Sequence, residues 1–346
     1  MVFGGMDMAG VFITAYSFVA AVIGAGFASG QEILSFFTVY GKWGALGIAL
    51  AAFVFGWFAY FVLEACRSEG TDDYNELLGR IMSGRMMRLS GVVTFIFLLC
   101  SFAVMTACFG ETAYLLFGLN KAVMSAVFAA ACAAVIALGA DKALKLNGAL
   151  GVIIAAGITG AALYMLRFRE HQTFAPQVSA LVSGAGYSGY NLIGAGVILA
   201  KLSRNIRTRS GAALAGGLGA GALLVMMILI YALLSIYYKY INLGEIPMLT
   251  LAMRENKVIT YFYGAMLVLA VVTTAISSGV GAVELVSNKK ISRPAAAAAV
   301  SAAGLLISGA GFSAVINTAY RFCGYIGIIL VLYMIIKYKK YKKDRK

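Results

Sequence analysis

Charge is what this chain has least of. Only 12% of its residues are Asp, Glu, Lys or Arg, against about 25% in soluble globular proteins. In 346 residues there are 3 prolines, 2 tryptophans and a single histidine. That histidine, His171, stands between Glu170 and Gln172 with no second metal ligand near it in sequence. It reads as a surface residue. No phosphate loop or nucleophile–base constellation is visible either. The five cysteines, Cys66, Cys100, Cys108, Cys132 and Cys323, are odd in number, lie in or beside apolar runs and form no C-x-x-C pair. They read as small buried hydrophobes. No Lys or Arg precedes the first apolar run, which is therefore expected to remain as a span and not to be cleaved as a secretory signal.

Apolar surface takes the place of charge. Hydrophobic residues make up 62% of the chain, against about 45–50% in soluble proteins, and 40 residues are glycine. A soluble globule could not cover that surface with so few charges. The composition excludes a soluble enzyme, a disordered chain and a disulfide scaffold. It predicts an all-α polytopic membrane protein.

At about 20 apolar residues per crossing, hydropathy divides the chain into about ten transmembrane helices. They fall near 8–37, 43–65, 90–117, 121–139, 146–166, 177–200, 212–238, 258–287, 294–309 and 321–337. The stretch 309–320 is expected as the end of the ninth span, a bent loop or the start of the tenth, with nine or eleven spans as alternatives. With the N-terminus inside, twenty basic residues fall on that side, seven fall on the other, and Arg321 lies at the mouth of the last span. The bias predicts a multi-pass protein of the cell (inner) membrane with both termini cytoplasmic. A single transmembrane domain, 1–337, is then followed by a basic tail, 338–346. The net charge of +14 is read as a topology signal and a contact for lipid headgroups. No recognition module for nucleic acid accompanies it.

Two spans carry glycine clusters. The first reads Gly24-Ala25-Gly26-Phe27-Ala28-Ser29-Gly30-Gln31-Glu32, and the sixth reads Gly184-Ala185-Gly186-Tyr187-Ser188-Gly189-Tyr190-Asn191. Gly24 and Gly184 lie 160 residues apart. Each glycine costs a helix about 1 kcal/mol against alanine, so the clusters predict broken helices, with unwound backbone near 24–28 and 184–189. The two clusters begin corresponding five-span halves, about 8–166 and 177–337, which run in opposite directions because five is odd. Interrupted segments in inverted halves point to a binding site at the midplane. The competing reading is close helix packing by small residues, which suits Gly217 and Gly221 in the seventh span.

These glycine segments, the ten spans and the five-plus-five inverted repeat resemble the LeuT fold of the amino acid–polyamine–organocation superfamily. The run Gly24 to Ile33 resembles the signature of the YkvI group of bacterial membrane proteins. A half-helix starting at a break offers free amides to a carboxylate, which makes Ala25, Gly26, Phe27, Ala28 and Ser29 candidates for substrate binding. Gly186, Tyr187 and Ser188 oppose them, and Phe27, Tyr187 and Tyr190 are candidate walls. The resemblance implies a sodium ion between the first and eighth spans, held by the carbonyls of Ala20, Ile23 and Thr274 and the hydroxyls of Ser277 and Ser278. The alternative is that these hydroxyls bond their own i−4 carbonyls.

Acids at membrane depth are expensive and point to function. Glu32 follows the first break and could bind an amine, exchange protons or join the halves through Arg321. Glu111 in the third span and Glu284 in the eighth are the other coupling or gating candidates, with snorkelling for Glu111 and an interfacial pair with Lys289 for Glu284 as their plainer roles. Glu64, near Arg67, is assigned to the interface. Asp73-Tyr74-Asn75-Glu76 has capping-box spacing. Ile246-Pro247 begins a short helical pattern, where the resemblance implies an outer lid.

The resemblance implies a secondary active transporter of a small organic solute, an amino acid or related amine, working by alternating access with sodium coupling. Proton coupling through Glu32 and a non-transporting amino-acid sensor are the alternatives. A membrane enzyme is the weakest reading, because no acid–base set converges. No cofactor beyond a sodium ion is expected, and the partners are a small-molecule substrate and the bilayer. The solute and the oligomeric state stay open.

Overall fold

The computed structural model describes residues 2–3, 6–139, 141–166, 179–238, 244–287 and 291–344. His171 and Lys289 lie outside them. The chain is almost wholly helical. A two-residue antiparallel pair, β1 (Val2–Phe3) with β2 (Met6–Asp7), precedes the first helix.

The first span is divided into α1 (Met8–Val22), α2 (Ala25–Ala28) and α3 (Gln31–Phe36). A 3-10 turn over Thr38–Trp43 leads to α4 (Gly44–Glu69), and the first loop holds α5 (Tyr74–Ile81). Then come α6 (Gly84–Phe117), α7 (Lys121–Leu138), α8 (Asp141–Met165), α9 (Ser179–Leu202) and α10 (Arg209–Tyr237). The remainder is α11 (Pro247–Glu255), α12 (Lys257–Val286), α13 (Arg293–Ser308), α14 (Phe312–Val315) and α15 (Arg321–Asp344). Among the described residues, six helices are long and apolar enough to cross a membrane. The stretch left open in sequence opens the last helix: α14 runs through a π turn, Ile316–Tyr320, into α15. That helix continues to Asp344, and its end lies against α4, with Tyr338 hydrogen-bonded to Ser68 and Lys342 donating to Ser68 Oγ.

Helix ends follow local chemistry. Asp7, Asn120, Thr208 and Asn256 accept amides in the first turns of α1, α7, α10 and α12. Asp73 caps α5 through Asn75 N at 2.7 Å and Glu76 N at 3.4 Å. The expected capping box is half formed. Thr71 Oγ1, not Glu76, accepts the Asp73 amide, and the Glu76 carboxylate takes the Thr71 hydroxyl instead.

The sixth span departs from expectation. Helix α9 runs unbroken through 184–189. Its glycines serve helix packing: a Cβ on Gly184 would overlap the Gly47 carbonyl of α4, and one on Gly189 would overlap the Gly324 carbonyl of α15. With backbones this close, a continuous helix keeps every amide paired, which unwinding would forfeit. In the seventh span the packing glycines are Gly216, against Gly56, and Gly219, against Phe18. Gly217 and Gly221 face open space. Large apolar side chains cover the outer faces, such as Phe53 at 68% and Leu306 at 81% exposure, which suits lipid and not water.

Candidate functional site

The break in the first span is where sequence placed it, but its geometry is finer. Ile23 and Gly24 are extended, α2 is one helical turn, and Gly30 takes φ 79°. The unwound backbone is therefore at 23–24 and at Gly30, while 25–28 is helical and Ser29 still bonds the Ala25 carbonyl. Positive φ favours glycine at 30, and Met248 Cγ would lie 2.6 Å from a Cβ there.

Freed carbonyls need partners in the bundle interior. Ser29 Oγ donates to the Gly26 carbonyl at 2.8 Å and accepts the Gln31 amide at 3.1 Å. The Tyr263 hydroxyl of α12 donates to the Ala28 carbonyl. Met248 of α11 donates its amide to the Ser29 carbonyl at 3.0 Å. Thus α11 sits directly on the break. Glu245, just before α11, accepts the Ser313 amide of α14 at 2.9 Å, tying the same loop to the last span.

Glu32 is the centre of the site. It is 5% exposed, and its carboxylate folds back onto Gly26, where a Cβ would overlap Oε1. Tyr187 and Tyr190 lie beside it. Glu32 Oε2 and both phenol oxygens are buried together, the two hydroxyls lying beside the carboxylate as its hydrogen-bonding neighbours, and Arg321 Nε is buried as well. Around them stands a cluster of rings. Phe36 lies 5.6 Å from both Tyr187 and Tyr190, Phe97 lies 5.7 Å from Tyr190, and Tyr320 lies 4.8 Å from Tyr190.

Arg321 does not pair with Glu32. Its Nη2 donates to the Ser35 carbonyl at 2.7 Å, and its guanidinium lies 5.5 Å from the Phe36 ring centre. Ser183 Oγ holds the next carbonyl, that of Phe36, at 2.8 Å. Helices α9 and α15 are tied to α3 at its C-terminal end and not at its acid, because the carbonyls that end this short helix need donors.

The other candidates divide. Tyr187 and Tyr190 reach the site. Gly186 packs against Tyr325, and Ser188 bonds the Gly184 carbonyl at 3.0 Å, so both face away from the break. Ala25, Gly26, Phe27, Ala28 and Ser29 are all buried around it. Glu111 is ion-paired with Lys121 at 2.5 Å at the α6–α7 turn, away from the ring cluster. Glu284 is exposed on α12. Glu64 forms a two-point bond with Arg67 at 2.8 Å. Along α12, Ser277 Oγ bonds the Thr273 carbonyl at 2.9 Å and Ser278 Oγ the Thr274 carbonyl at 2.6 Å. Thr274 also lies 3.6 Å from a Cβ position on Gly24, which brings the eighth span to the break. Ala20 lies against Gly151 of α8.

Sequence reading missed Phe36, Phe97, Tyr263, Met248, Glu245 and Tyr320. Phe36 carried a local signal, since it follows Glu32 by four residues and so shares its helix face, and Met248 lies in the short helical pattern read after Ile246-Pro247. The others are brought in from distant elements.

No family model matches the chain, and no curated protein matches it in sequence. Solved structures do resemble it. The inward-facing conformation of Mhp1 matches with a TM-score of 0.66 at 14% identity, over 95% of this chain and 76% of the other. The substrate-bound, outward-open Na+-coupled sialic acid symporter matches at 0.63 and 12% identity, over 94% and 78%. The manganese transporter of Eremococcus coleocola, in complex with an aromatic bis-isothiourea compound, matches at 0.60 and 12% identity, over 96% and 87%. Identity this low speaks for the fold alone. The chain is a multi-pass membrane protein that shares the LeuT-like fold of these transporters.

Proposed function

We propose that this protein is a secondary active transporter of a small organic solute, an amino acid or related amine. The carrying observation is the doubly interrupted first helix, beside which a buried acid, Glu32, stands among aromatic rings with no salt-bridge partner among the described residues. Irregular backbone at membrane depth is tolerated where it lines a pathway, and an ionisable residue there marks one. The site is closed, with α11 seated on the break and Tyr74 of α5 packed against Gly196 on α9. Alternating access would release one of these elements at a time.

Ten crossings complete the reading: the α1–α3 unit, α4, α6, α7, α8, α9, α10, α12, α13 and the α14–α15 unit. Both termini are cytoplasmic in the inner membrane, in two inverted five-span halves. The charge bias supports this, and the motif from Gly24 to Ile33 supports membership of the YkvI group. Sodium coupling is proposed at Ala20, Ile23, Thr274, Ser277 and Ser278, supported by the approach of Gly24 to Thr274. Proton coupling through Glu32 is the second reading. Its support is that the two serine hydroxyls bond carbonyls of their own helix, while Glu32 is a buried acid beside the break with no cation paired to it among the described residues.

Uptake into proteoliposomes tests the proposal. Accumulation of a labelled amine or amino acid driven by an inward sodium gradient is the expected result. Accumulation driven only by a proton gradient selects the second reading. Saturable binding with no accumulation under either gradient would leave a sensor.

A further inference from the structure

We propose that α15, where it runs on past its apolar span, is a docking surface for the headgroups of anionic phospholipids. Lys339, Lys340 and Lys343 form the surface, and headgroups bound there brace α5. The surface lies apart from the break in the first helix and does not rest on the transport reading.

Three observations carry it. The first is register. The outward face of α15 carries Ile329, Leu332 and Ile336, all exposed, Ile336 at 67%. Steps of three and four residues continue that stripe from Ile336 to Lys339 and Lys340 and then to Lys343, each of them exposed. The stripe that meets acyl chains thus turns basic without leaving its face. At ~1.5 Å per residue the three lysines start about 4–11 Å beyond Ile336. The headgroup layer is about 5–8 Å deep, and the lysine stems span the remaining distance.

The second is the opposite face, which is held by protein. Val331, Met334 and Tyr338 are buried. Tyr338 and Lys342 bond Ser68 at the end of α4, and the Tyr338 ring stands edge-on to Phe61 at 5.3 Å. Held this way, the helix cannot roll its lysines away from the bilayer. The same face holds α5 near both ends. Tyr74 of α5 donates to Met334 Sδ at 3.6 Å. Tyr341 donates to Glu69 Oε2 at 3.3 Å, and Arg80 of α5 reaches that same oxygen at 3.4 Å.

The third is charge. Residues 337–344 hold five lysines and one acid, Asp344. Lys342 is taken by Ser68, and Lys337 lies over the Tyr333 ring. Lys339, Lys340 and Lys343 enter no ion pair among the described residues. Lys339 and Lys340 stand four and three residues before Lys343, spacings at which like charges repel on a helix. A phosphate-bearing surface relieves that repulsion, and the attraction of each lysine to it adds to the others within a Debye length.

Hydrogen exchange of the purified full chain in nanodiscs tests the proposal. Discs of phosphatidylcholine alone are compared with discs of phosphatidylcholine mixed with phosphatidylglycerol. Amides of 338–344 and of α5 are expected to exchange more slowly in the mixed discs, by about tenfold. High salt is expected to shrink the difference. Combining Lys339→Gln, Lys340→Gln and Lys343→Gln is expected to abolish it. Lys342→Gln removes a charge from the docked face and is expected to leave it in place. Gel filtration verifies that the variants fold. If the triple variant does not fold, the salt titration of the wild type takes its place, and a difference that survives high salt overturns the proposal. Equal exchange in the two lipids overturns it as well, as does a folded triple variant that keeps the lipid response. So does a Lys342→Gln variant that loses the response as fully as the triple one. A second copy of the chain on this face would show as a changed oligomeric state of the triple variant with equal exchange in both lipids, which overturns the lipid assignment. Slower exchange in 338–344 with α5 unchanged overturns the bracing of α5. No readout involves uptake, so failure here leaves the transport reading untouched.

Discussion

The carboxylate of Glu32 occupies the space that Gly26 leaves by having no side chain. One residue of the motif thus makes room for another six positions on, across the second interruption at Gly30. The left-handed Gly30 turns the chain between α2 and α3, and the acid lies beside the α9 rings Tyr187 and Tyr190. In an unbroken helix, residues six apart would lie about 120° apart around the axis and about 9 Å apart along it.

Gly26→Ala is expected to displace that carboxylate. Overpacking of this kind costs about 1–3 kcal/mol, and solute binding should fall with it. Melting temperature and ligand titration on the same purified sample check both effects; wild-type affinity in a variant of normal stability would remove Gly26 from the site.

The α9 glycines are expected to respond as packing residues. Gly189→Val would press on the Gly324 carbonyl and the Ile328 amide, costing about 1–3 kcal/mol or more. Gly217→Ala faces open space and should be neutral or gain up to about 1 kcal/mol of helix propensity. In one detergent the melt of Gly189→Val should fall while that of Gly217→Ala holds or rises, and a tolerated Gly189→Val would argue against the close contact.

Tyr263→Phe removes the donor that satisfies the Ala28 carbonyl. An acceptor left unpaired in the interior costs about 1–3 kcal/mol. The expected outcome is a lower melting temperature with the ring still packed; no change would mean that the carbonyl finds another donor.

Ser277→Ala combined with Ser278→Ala is the decisive variant for the proposed sodium site. Loss of sodium dependence in uptake, with the helix intact, is the expected result. If sodium still drives uptake at wild-type affinity, the hydroxyls serve only the Thr273 and Thr274 carbonyls they bond.

The docking of α5 carries a pH dependence. The Thr71 hydroxyl first, and then Arg80, hold the Glu76 carboxyl below the ordinary carboxylate range. A carboxyl depressed in the folded state contributes stability above its unfolded pKa and loses it as pH falls through the folded one. The protection of α5 amides, taken relative to intrinsic exchange at each pH, should therefore fall on acidification below the usual carboxylate range, and Glu76→Gln should flatten that response.

The amino-acid order alone determined the membrane class, the helical content and the approximate extent of the long helices. Each follows from local composition, with apolar runs of sufficient length bounded by Asp, Asn, Thr, Pro and Gly caps. It also located the break in the first span, because Gly24, Gly26 and Gly30 crowd one segment with an acid beside them. The same local signal misled in α9. Glycine density reads alike whether it frees a backbone to unwind or lets two backbones touch, and only the opposing Gly47 and Gly324 decide which. Tertiary structure alone also decided that Arg321 holds Ser35 and not Glu32, that α11 rests on Ser29, and that Phe97 and Tyr320 join Tyr190. Those contacts unite residues from helices far apart in sequence. Their partners are chosen by packing and by the need to satisfy buried polar groups, which no local pattern encodes.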